Sequence, residues 1–360
     1  MVKGVVRRNP EVRAGFEIIP EALKVLAVAK SPLPLGVIDK VRAELDTRLD
    51  ARYIDLRKPE VAAIFKIRST ILKAVREQFD REGFIEIHTP KIVATATEGG
   101  TALFPVEYFG HQAFLNQSPQ LYKQMMMATG LDKVYEIGPA FRAEEHDTVR
   151  HLNEFISIDM EMAFADEEDV MGVLERVVHR AIVRVIETNR NELEILNVKL
   201  EVPELPFPRV TYTKCLEYIE AHGIKLPWGE DISMEGMKAL SEHYPGFFFI
   251  TRWPTKLKPF YALPFDDDPR VCRAFDLNFG EKEITSGAQR VHNAELLRTN
   301  LSAQNLMPDE FTFYINAFEY GMPPHAGWGL GIERFTMILT NTLNIRECVL
   351  FPRDKSRLVP

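Results

Sequence analysis

The chain has little cysteine, no long apolar run and no surplus of base. Its three cysteines, Cys215, Cys272 and Cys348, lie far apart with no CxxC. That argues against a disulfide framework or a zinc ribbon and points to a reducing compartment, read as the cytoplasm. No run approaches the ~18 apolar residues of a membrane span, so no membrane association is expected. The first residues, MVKGVVRRNPEVRAG, hold no apolar core of a signal peptide. Lys and Arg total 44 against 52 Asp and Glu, a formal net charge of −8. That balance excludes a protein that coats nucleic acid non-specifically, since phosphates reward an excess of base. It leaves a local basic face open. There is no G-x-x-x-x-G-K-[ST], so no P-loop. No glycine motif follows a parallel strand of a βαβ unit, so no dinucleotide fold is implied.

What is present fits a globular enzyme. Hydrophobic residues make up 46% of the 360 and charged residues 27%, too apolar for a disordered chain. At ~150 residues per domain this is two domains, or one large domain with an appendage. Residues 2–6, 16–19 and 23–29 read as short strands, with Pro20 between the last two, and Pro32-Leu33-Pro34-Leu35-Gly36 punctuates the chain. The stretch 1–35 is too short for its own core and looks like the end of a domain, and 36–58 reads as a charged connector. From Pro59 to Gly83, apolar residues Val61, Ile64, Phe65, Ile71, Leu72, Val75 and Phe79 follow helical spacing. Strands are expected at 84–88, 113–116, 133–137, 155–164, 247–251, 259–263 and 271–279. Helices are expected at 120–129, 167–190 (capped by Asp166), 291–303, 309–320 and 330–341, with two more in an insertion at 213–245. Many strands lack an intervening helix, so the fold class is α+β with a mainly antiparallel sheet flanked by helices.

Three clusters could carry chemistry. Phe141-Arg142-Ala143-Glu144-Glu145-His146-Asp147-Thr148-Val149-Arg150-His151-Leu152-Asn153-Glu154-Phe155 sits between two strands and reads as a long hairpin loop. Its cations suit a polyanion, because arginine offers a planar fork to phosphate. A merely solvated charged loop is an equally good reading of its composition. The following strand puts Phe155, Ser157, Asp159 and Glu161 on one face and Ile156, Ile158, Met160 and Met162 on the other. Acids on a sheet surface are costly unless they line a ligand site.

Asp276 and Glu283 flank a turn at Gly280 and, with Ser286, offer hard oxygens that suit Mg²⁺ on phosphates. By themselves they are more simply surface acids. Finally, Gly321-Met322-Pro323-Pro324-His325-Ala326-Gly327-Trp328-Gly329-Leu330-Gly331-Ile332-Glu333-Arg334-Phe335 reads as a glycine-rich loop running into a helix, a phosphate-friendly arrangement.

In this order the clusters resemble the motifs of a class II aminoacyl-tRNA synthetase. Gly83-Phe84-Ile85-Glu86-Ile87-His88-Thr89-Pro90 resembles motif 1, Phe141-Arg142-Ala143-Glu144 motif 2, and Gly329-Leu330-Gly331-Ile332-Glu333-Arg334 motif 3. Ala94-Thr95-Ala96-Thr97-Glu98-Gly99-Gly100, Asn116-Gln117-Ser118-Pro119-Gln120-Leu121-Tyr122-Lys123-Gln124 and Phe351-Pro352-Arg353-Asp354 narrow the resemblance to aspartyl-tRNA synthetases of the archaeal and eukaryotic type.

The resemblance implies a catalytic domain over 59–360, a homodimer with Pro90 at its interface, and ATP, L-aspartate, Mg²⁺ and tRNA as ligands. It assigns Arg142, Glu144 and Arg334 to catalysis. ATP would meet Arg142, Glu144, His151, Leu152, Phe155, Glu283 and Arg334. Aspartate would meet Glu98, Ser118, Gln120, Lys123, Asp159, Ser286 and Arg290, with Lys123 and Arg290 on the side-chain carboxylate, Gln120 and Ser118 supporting them, and Glu98 and Asp159 on the α-ammonium. Mg²⁺ would sit on Asp276, Glu283 and Ser286.

The family carries an N-terminal OB-fold that reads the anticodon, of which 1–35 looks like the remaining tail. An alternative follows from that: an ammonia-dependent asparagine synthetase, related to the family, that amidates the same aspartyl-adenylate. Arg150, Asn153 and Glu154 in the motif 2 loop favour a tRNA acceptor. A non-catalytic paralogue is disfavoured because the motif arginines and the metal acids are all present.

Overall fold

The computed structural model describes residues 1–12, 14–37, 43–95, 102–145 and 148–360. They fall into two compact units, Met1–Lys58 and Pro59–Pro360. In the first, β1 (Val2–Arg8) pairs antiparallel with β2 (Phe16–Leu23). The separate strand expected at 23–29 does not form. Instead β2 runs through Pro20, and the ladder slips between Lys3 and Gly4, opposite the proline that has no N–H to give. Gly4 permits the slip: a Cβ there would lie 2.1 Å from the Ile19 carbonyl oxygen. Short helices Leu45–Asp50 and Arg52–Asp55 follow.

The second unit begins with a helix, Pro59–Arg81, whose buried face is Ile67, Ile71, Ala74, Val75 and Phe79. Proline suits a first helical turn because its missing N–H would be unsatisfied there anyway. The strands are β3 (Ile85–Glu86), β4 (Ile92–Val93), β5 (Pro105–Tyr108), β6 (His111–Leu115), β7 (Lys133–Phe141), β8 (Glu154–Ala163), β9 (Arg209–Thr211), β10 (Phe247–Thr251), β11 (Ala274–Phe279), β12 (Lys282–Gln289) and β13 (His325–Gly331). Eight of them form one sheet in the order β3-β7-β8-β13-β12-β11-β10-β9, while β4, β6 and β5 form a small one. Pairing in the large sheet is antiparallel except β3 with β7 and β10 with β9.

Two further expectations need correcting. Residues 259–263 form no strand; Ala262 makes an isolated bridge to Arg290 beside the sheet. The glycine-rich segment is no loop. It is β13, a central strand between β8 and β12. Its glycines alternate with Ala326, Trp328 and Leu330, which point into the core. Trp328 stacks on Phe79 with ring centroids 5.9 Å apart, and its Nε1 donates to the Val170 carbonyl at 3.0 Å. Val170 lies in the helix Glu167–Thr188, which is capped by Asp166 and Asp169 as a capping box.

On the opposite face, residues in register line up across the sheet. One row runs Glu136, Asp159, Gly329, Ser286, Asp276, and the next Val134, Glu161, Gly327, Ala288, Ala274. Gly327 and Gly329 leave the space that Glu161 and Asp159 fill. A Cβ on Gly327 would come within 2.1 Å of Glu161 Oε2 and 2.3 Å of the Met160 carbonyl oxygen. A bulge adds one residue to β12: Thr285 faces Leu277 and Glu283 faces Asn278, so Ile284 is skipped. Bulges re-aim side chains, and this one turns Glu283 to the face that carries Asp276.

Gly327→Ala should therefore cost more than about 3 kcal/mol, because backbone as well as a side chain blocks the methyl. Gly331→Ala meets nothing within 4 Å and serves as the control. Urea unfolding checks both, and a Gly327→Ala chain as stable as its parent would contradict this account of the strand.

Candidate active site

The polar face of β8, β12 and β13 floors a cleft of about 320 Å³. It brings together most of the residues singled out in the sequence: Ser118, Gln120, Arg142, Glu144, His151, Leu152, Phe155, Asp159, Glu283, Ser286, Arg290 and Arg334. Asp276 lines an adjoining cavity of about 230 Å³ that shares Arg150, His151, Glu283 and Arg334 with the first. Lys123 does not line the cleft itself but lies buried at its floor, 2% exposed, against Asp159 and Glu161. Pro90 is not at the cleft, and Glu98 lies outside the described residues.

The loop between β7 and β8 is held at its base. Asn153 Nδ2 donates to the carbonyls of Arg142 (2.6 Å) and Glu144 (3.1 Å). The C-terminal segment clamps it from outside: Asn153 N donates to the Arg353 carbonyl at 2.8 Å, and Arg346 Nη1 to the Thr148 carbonyl at 3.2 Å. The Arg142 guanidinium lies 5.4 Å from the centroid of the Phe155 ring. His151 Nδ1 meets Thr148 Oγ1 at 2.6 Å, and its Nε2 stands 3.7 Å from Glu144. Arg334, on the helix Ile332–Thr340, is tethered by Nη1 to the Glu283 carbonyl at 3.1 Å. Buried Glu333 fixes that helix, accepting from Arg68 Nη2 at 2.7 Å and from the Ile156 amide at 3.2 Å.

Four buried charges lie at the pocket floor. Lys123 Nζ donates to Asp159 Oδ1 at 2.8 Å and stands 3.5 Å from Glu161 Oε2. Arg290 donates from Nε (2.9 Å) and Nη2 (3.3 Å) to the two oxygens of Glu161. The charges sum to zero, which is how such a cluster tolerates burial. Groups remain for a ligand: the hydrogen bonds of Arg290 to Glu161 use Nε and Nη2 and leave Nη1 over, and Asp159 Oδ2 is buried with no partner among the described residues. Glu161 received no role from the sequence, although its place on the polar face of β8 was readable there.

At the other end, Lys258 Nζ donates to Asp276 Oδ2 at 2.6 Å and sits 4.2 Å from the Trp253 ring centroid. Asp276 Oδ1 is buried without a hydrogen bond among the described residues. Glu283 is exposed on the open cleft, in a stretch crowded by neighbouring protein. Desolvation, and then the Asp276 charge, push it up to about 7. Among the described residues, no group of three or more His, Cys, Asp or Glu could hold a metal. Two carboxylates without a third protein ligand suit Mg²⁺, which is commonly shared with substrate phosphates. Lys258 carries no motif signal, so sequence reasoning passed over it.

Behind Gln120 lies a second buried network that the sequence did not disclose. His325 Nδ1 donates to the Pro323 carbonyl at 2.8 Å, and its Nε2 meets Gln124 Nε2 at 2.9 Å. Gln124 Oε1 accepts from Tyr314 Oη at 2.9 Å and from Gln120 Nε2 at 2.8 Å. Burial drives the His325 pKa down to about 4, with Glu161 opposing and Arg290 and His292 adding to the shift.

The chain matches the family model for tRNA synthetases class II (D, K and N) over residues 44–355. It is 57% identical to the aspartate–tRNA(Asp/Asn) ligase of Methanocaldococcus jannaschii, covering all of this chain and 82% of that protein. It is 56% identical to the aspartate–tRNA(Asp) ligase of Pyrococcus abyssi, covering all of this chain and 84% of that one. Among solved structures it is similar to the asparaginyl-tRNA synthetase of Pyrococcus horikoshii complexed with asparaginyl-adenylate (TM-score 0.93, 33% identity, 100% of this chain and 83% of that one). It is also similar to the aspartyl-tRNA synthetase of Entamoeba histolytica (TM-score 0.87, 31% identity, 100% and 78%). With that match and those relatives, the chain belongs to the class II aminoacyl-tRNA synthetases of the D, K and N group.

The buried histidine makes a pH prediction. His325 shifts from 6.5 to about 4 on folding. Between those values the unfolded chain holds the extra proton, so this term of stability is full above the upper value and is lost as pH falls. It amounts to about 3 kcal/mol. Unfolding midpoints measured from pH 7 to 4 should therefore fall less steeply in His325→Gln than in the parent. Equal slopes would mean that His325 titrates as an ordinary histidine.

Proposed function

We propose that the chain is an aspartate–tRNA ligase, which activates L-aspartate with ATP and transfers it to the 3′ end of tRNA. The observation that carries the choice of aspartate is the pair of buried cations, Lys123 and Arg290, at the floor of a cleft whose upper wall holds Arg142 and Arg334. The spare Nη1 donors of Arg290 meet the side-chain carboxylate by charge-assisted hydrogen bonds, which an amide cannot equal. Asp159 Oδ2, buried and unpartnered among the described residues, receives the α-ammonium together with Gln120, which thereby moves from the side-chain carboxylate, where the resemblance put it, to the ammonium end. The α-carboxylate then lies next to Arg142, which neutralises the α-phosphate as the carboxylate attacks in line and pyrophosphate leaves. Phe155 and Arg334 hold the adenine, Arg334 also meets the γ-phosphate, and His151 and Glu144 orient ATP. No enzyme nucleophile takes part; the rate comes from positioning and charge neutralisation. The terminal ribose hydroxyl of tRNA then attacks the aspartyl-adenylate.

Mg²⁺ fits the orphaned oxygen of Asp276 and the neighbouring Glu283, with Ser286 in register beside them. When bound it neutralises charge on the ATP phosphates. The unit Met1–Lys58 is read as the tail of an anticodon-binding OB-fold and its connector. In this reading Pro90 lies in a homodimer interface, next to Thr89 and Lys91, which both bind buried Glu136. No helix among the described residues is long and apolar enough to cross a membrane, and a cytoplasmic location accords with three buried free thiols.

Aspartate-dependent ATP–pyrophosphate exchange tests activation, and transfer of labelled aspartate to tRNA tests the second step. Arg142→Ala should lower exchange at least ~100-fold. Undiminished exchange in that variant would overturn the role of the β7–β8 loop. Asparagine formed from aspartate and ammonia, with no charging of tRNA, would overturn the transfer step.

A further inference from the structure

We infer that His325 acts through Gln124 to set which end of the Gln120 amide faces the substrate, making His325 and Gln124 positioning residues for the ammonium end of the amino acid. The inference rests on the aspartate pocket proposed above and extends it to residues that touch no substrate.

The argument is one of donors and acceptors. The Pro323 carbonyl can only accept, so His325 Nδ1 must carry the proton. A neutral imidazole then has a bare Nε2, which can only accept. Gln124 must turn its NH₂ to that nitrogen, and its Oε1 is thereby directed to Tyr314 and Gln120. Gln120 must answer with its own NH₂. Its Oε1, without a partner among the described residues, is left for the cleft that Gln120 lines. The pocket consequently shows an acceptor there, suited to an ammonium group and unsuited to a carboxylate. His325, Gln124 and Tyr314 are fully buried, so no water competes to reorient the amides. Protonated His325, or the other tautomer, would reverse each amide in turn and present an NH₂ to the cleft.

The test separates the two ends of the substrate. Succinate keeps both carboxylates of aspartate and lacks the ammonium. In His325→Leu and Gln124→Leu, KM for aspartate in ATP–pyrophosphate exchange should rise about tenfold, the scale of one hydrogen bond to a charged group. Inhibition by succinate and KM for ATP should stay within about twofold. His325→Gln keeps an acceptor towards Gln124 and should hold KM for aspartate within about threefold of the parent. Equal weakening of aspartate and succinate would reduce the network to structural support and overturn the inference. Should the leucine variants fail to fold, ¹⁵N NMR of histidine-labelled parent protein decides. His325 should remain neutral with its proton on Nδ1 from pH 8 to about 5, and a proton on Nε2 or titration near 6.5 would overturn the relay. A parent chain with no aspartate-dependent exchange would instead contradict the proposed function, leaving the tautomer measurement as a separate result.

Discussion

The structure depends on seating two carboxylates, Asp159 and Glu161, on the face of a central β-strand without water. Buried charge is tolerated only when it is paired and hydrogen-bonded. Lys123 and Arg290 supply the pairing at 2.8 to 2.9 Å for their closest contacts. Neither cation could lie so near the sheet if the neighbouring strand carried side chains on that face, and Gly327 and Gly329 remove them. The glycine pattern, the acids of β8 and the two cations form one steric and electrostatic unit. From it follow the floor of the cleft and, in the proposed function, the placement of donors for an anionic amino acid.

In the proposed function the two ends of the cleft divide the work. At the amino-acid end, neutralised charges leave a small set of oriented groups: a guanidinium nitrogen, a carboxylate oxygen and an amide oxygen. At the nucleotide end, arginines and carboxylates stand on a loop, a bulge and a helix start, each tied to backbone. Arg334 holds the Glu283 carbonyl, Glu333 joins its helix to β8 through Arg68 and Ile156, and Asn153 closes the base of the loop. In that reading rigid strands carry the specificity, and the less buried loop residues Arg142, Glu144 and His151 face the incoming nucleotide.

Much of this was legible in the sequence, for identifiable reasons. Period-two alternation in β8 and helical spacing from Pro59 are local signals, and the structure follows them closely. The same alternation exists in β13, but three glycines in seven residues read as a loop, because glycine signals flexibility until a neighbour is known to need its missing Cβ. That neighbour, Glu161, is more than 160 positions away in the chain. Lys258 and the His325–Gln124–Tyr314 network were invisible for the same reason: their meaning lies in partners brought together only by the sheet. The expected strand at 259–263 has the right apolar residues. Its Phe260 and Tyr261 are buried against the helices near the C-terminus, so burial without a ladder satisfied the pattern. Near the N-terminus, Pro20 suggested a break between strands. On a two-stranded ribbon the ladder could slip and continue past it.

The central claim is that this balanced cluster of buried charges selects an acid over its amide. Calorimetric titration of the unmodified chain with L-aspartate and with L-asparagine, at pH 7 and with a non-hydrolysable ATP analogue and Mg²⁺ present, tests it most directly. The account predicts that aspartate binds at least ~100-fold more tightly, the scale expected when a site built for one polar group meets its analogue. Equal affinities, or tighter binding of asparagine, would contradict it.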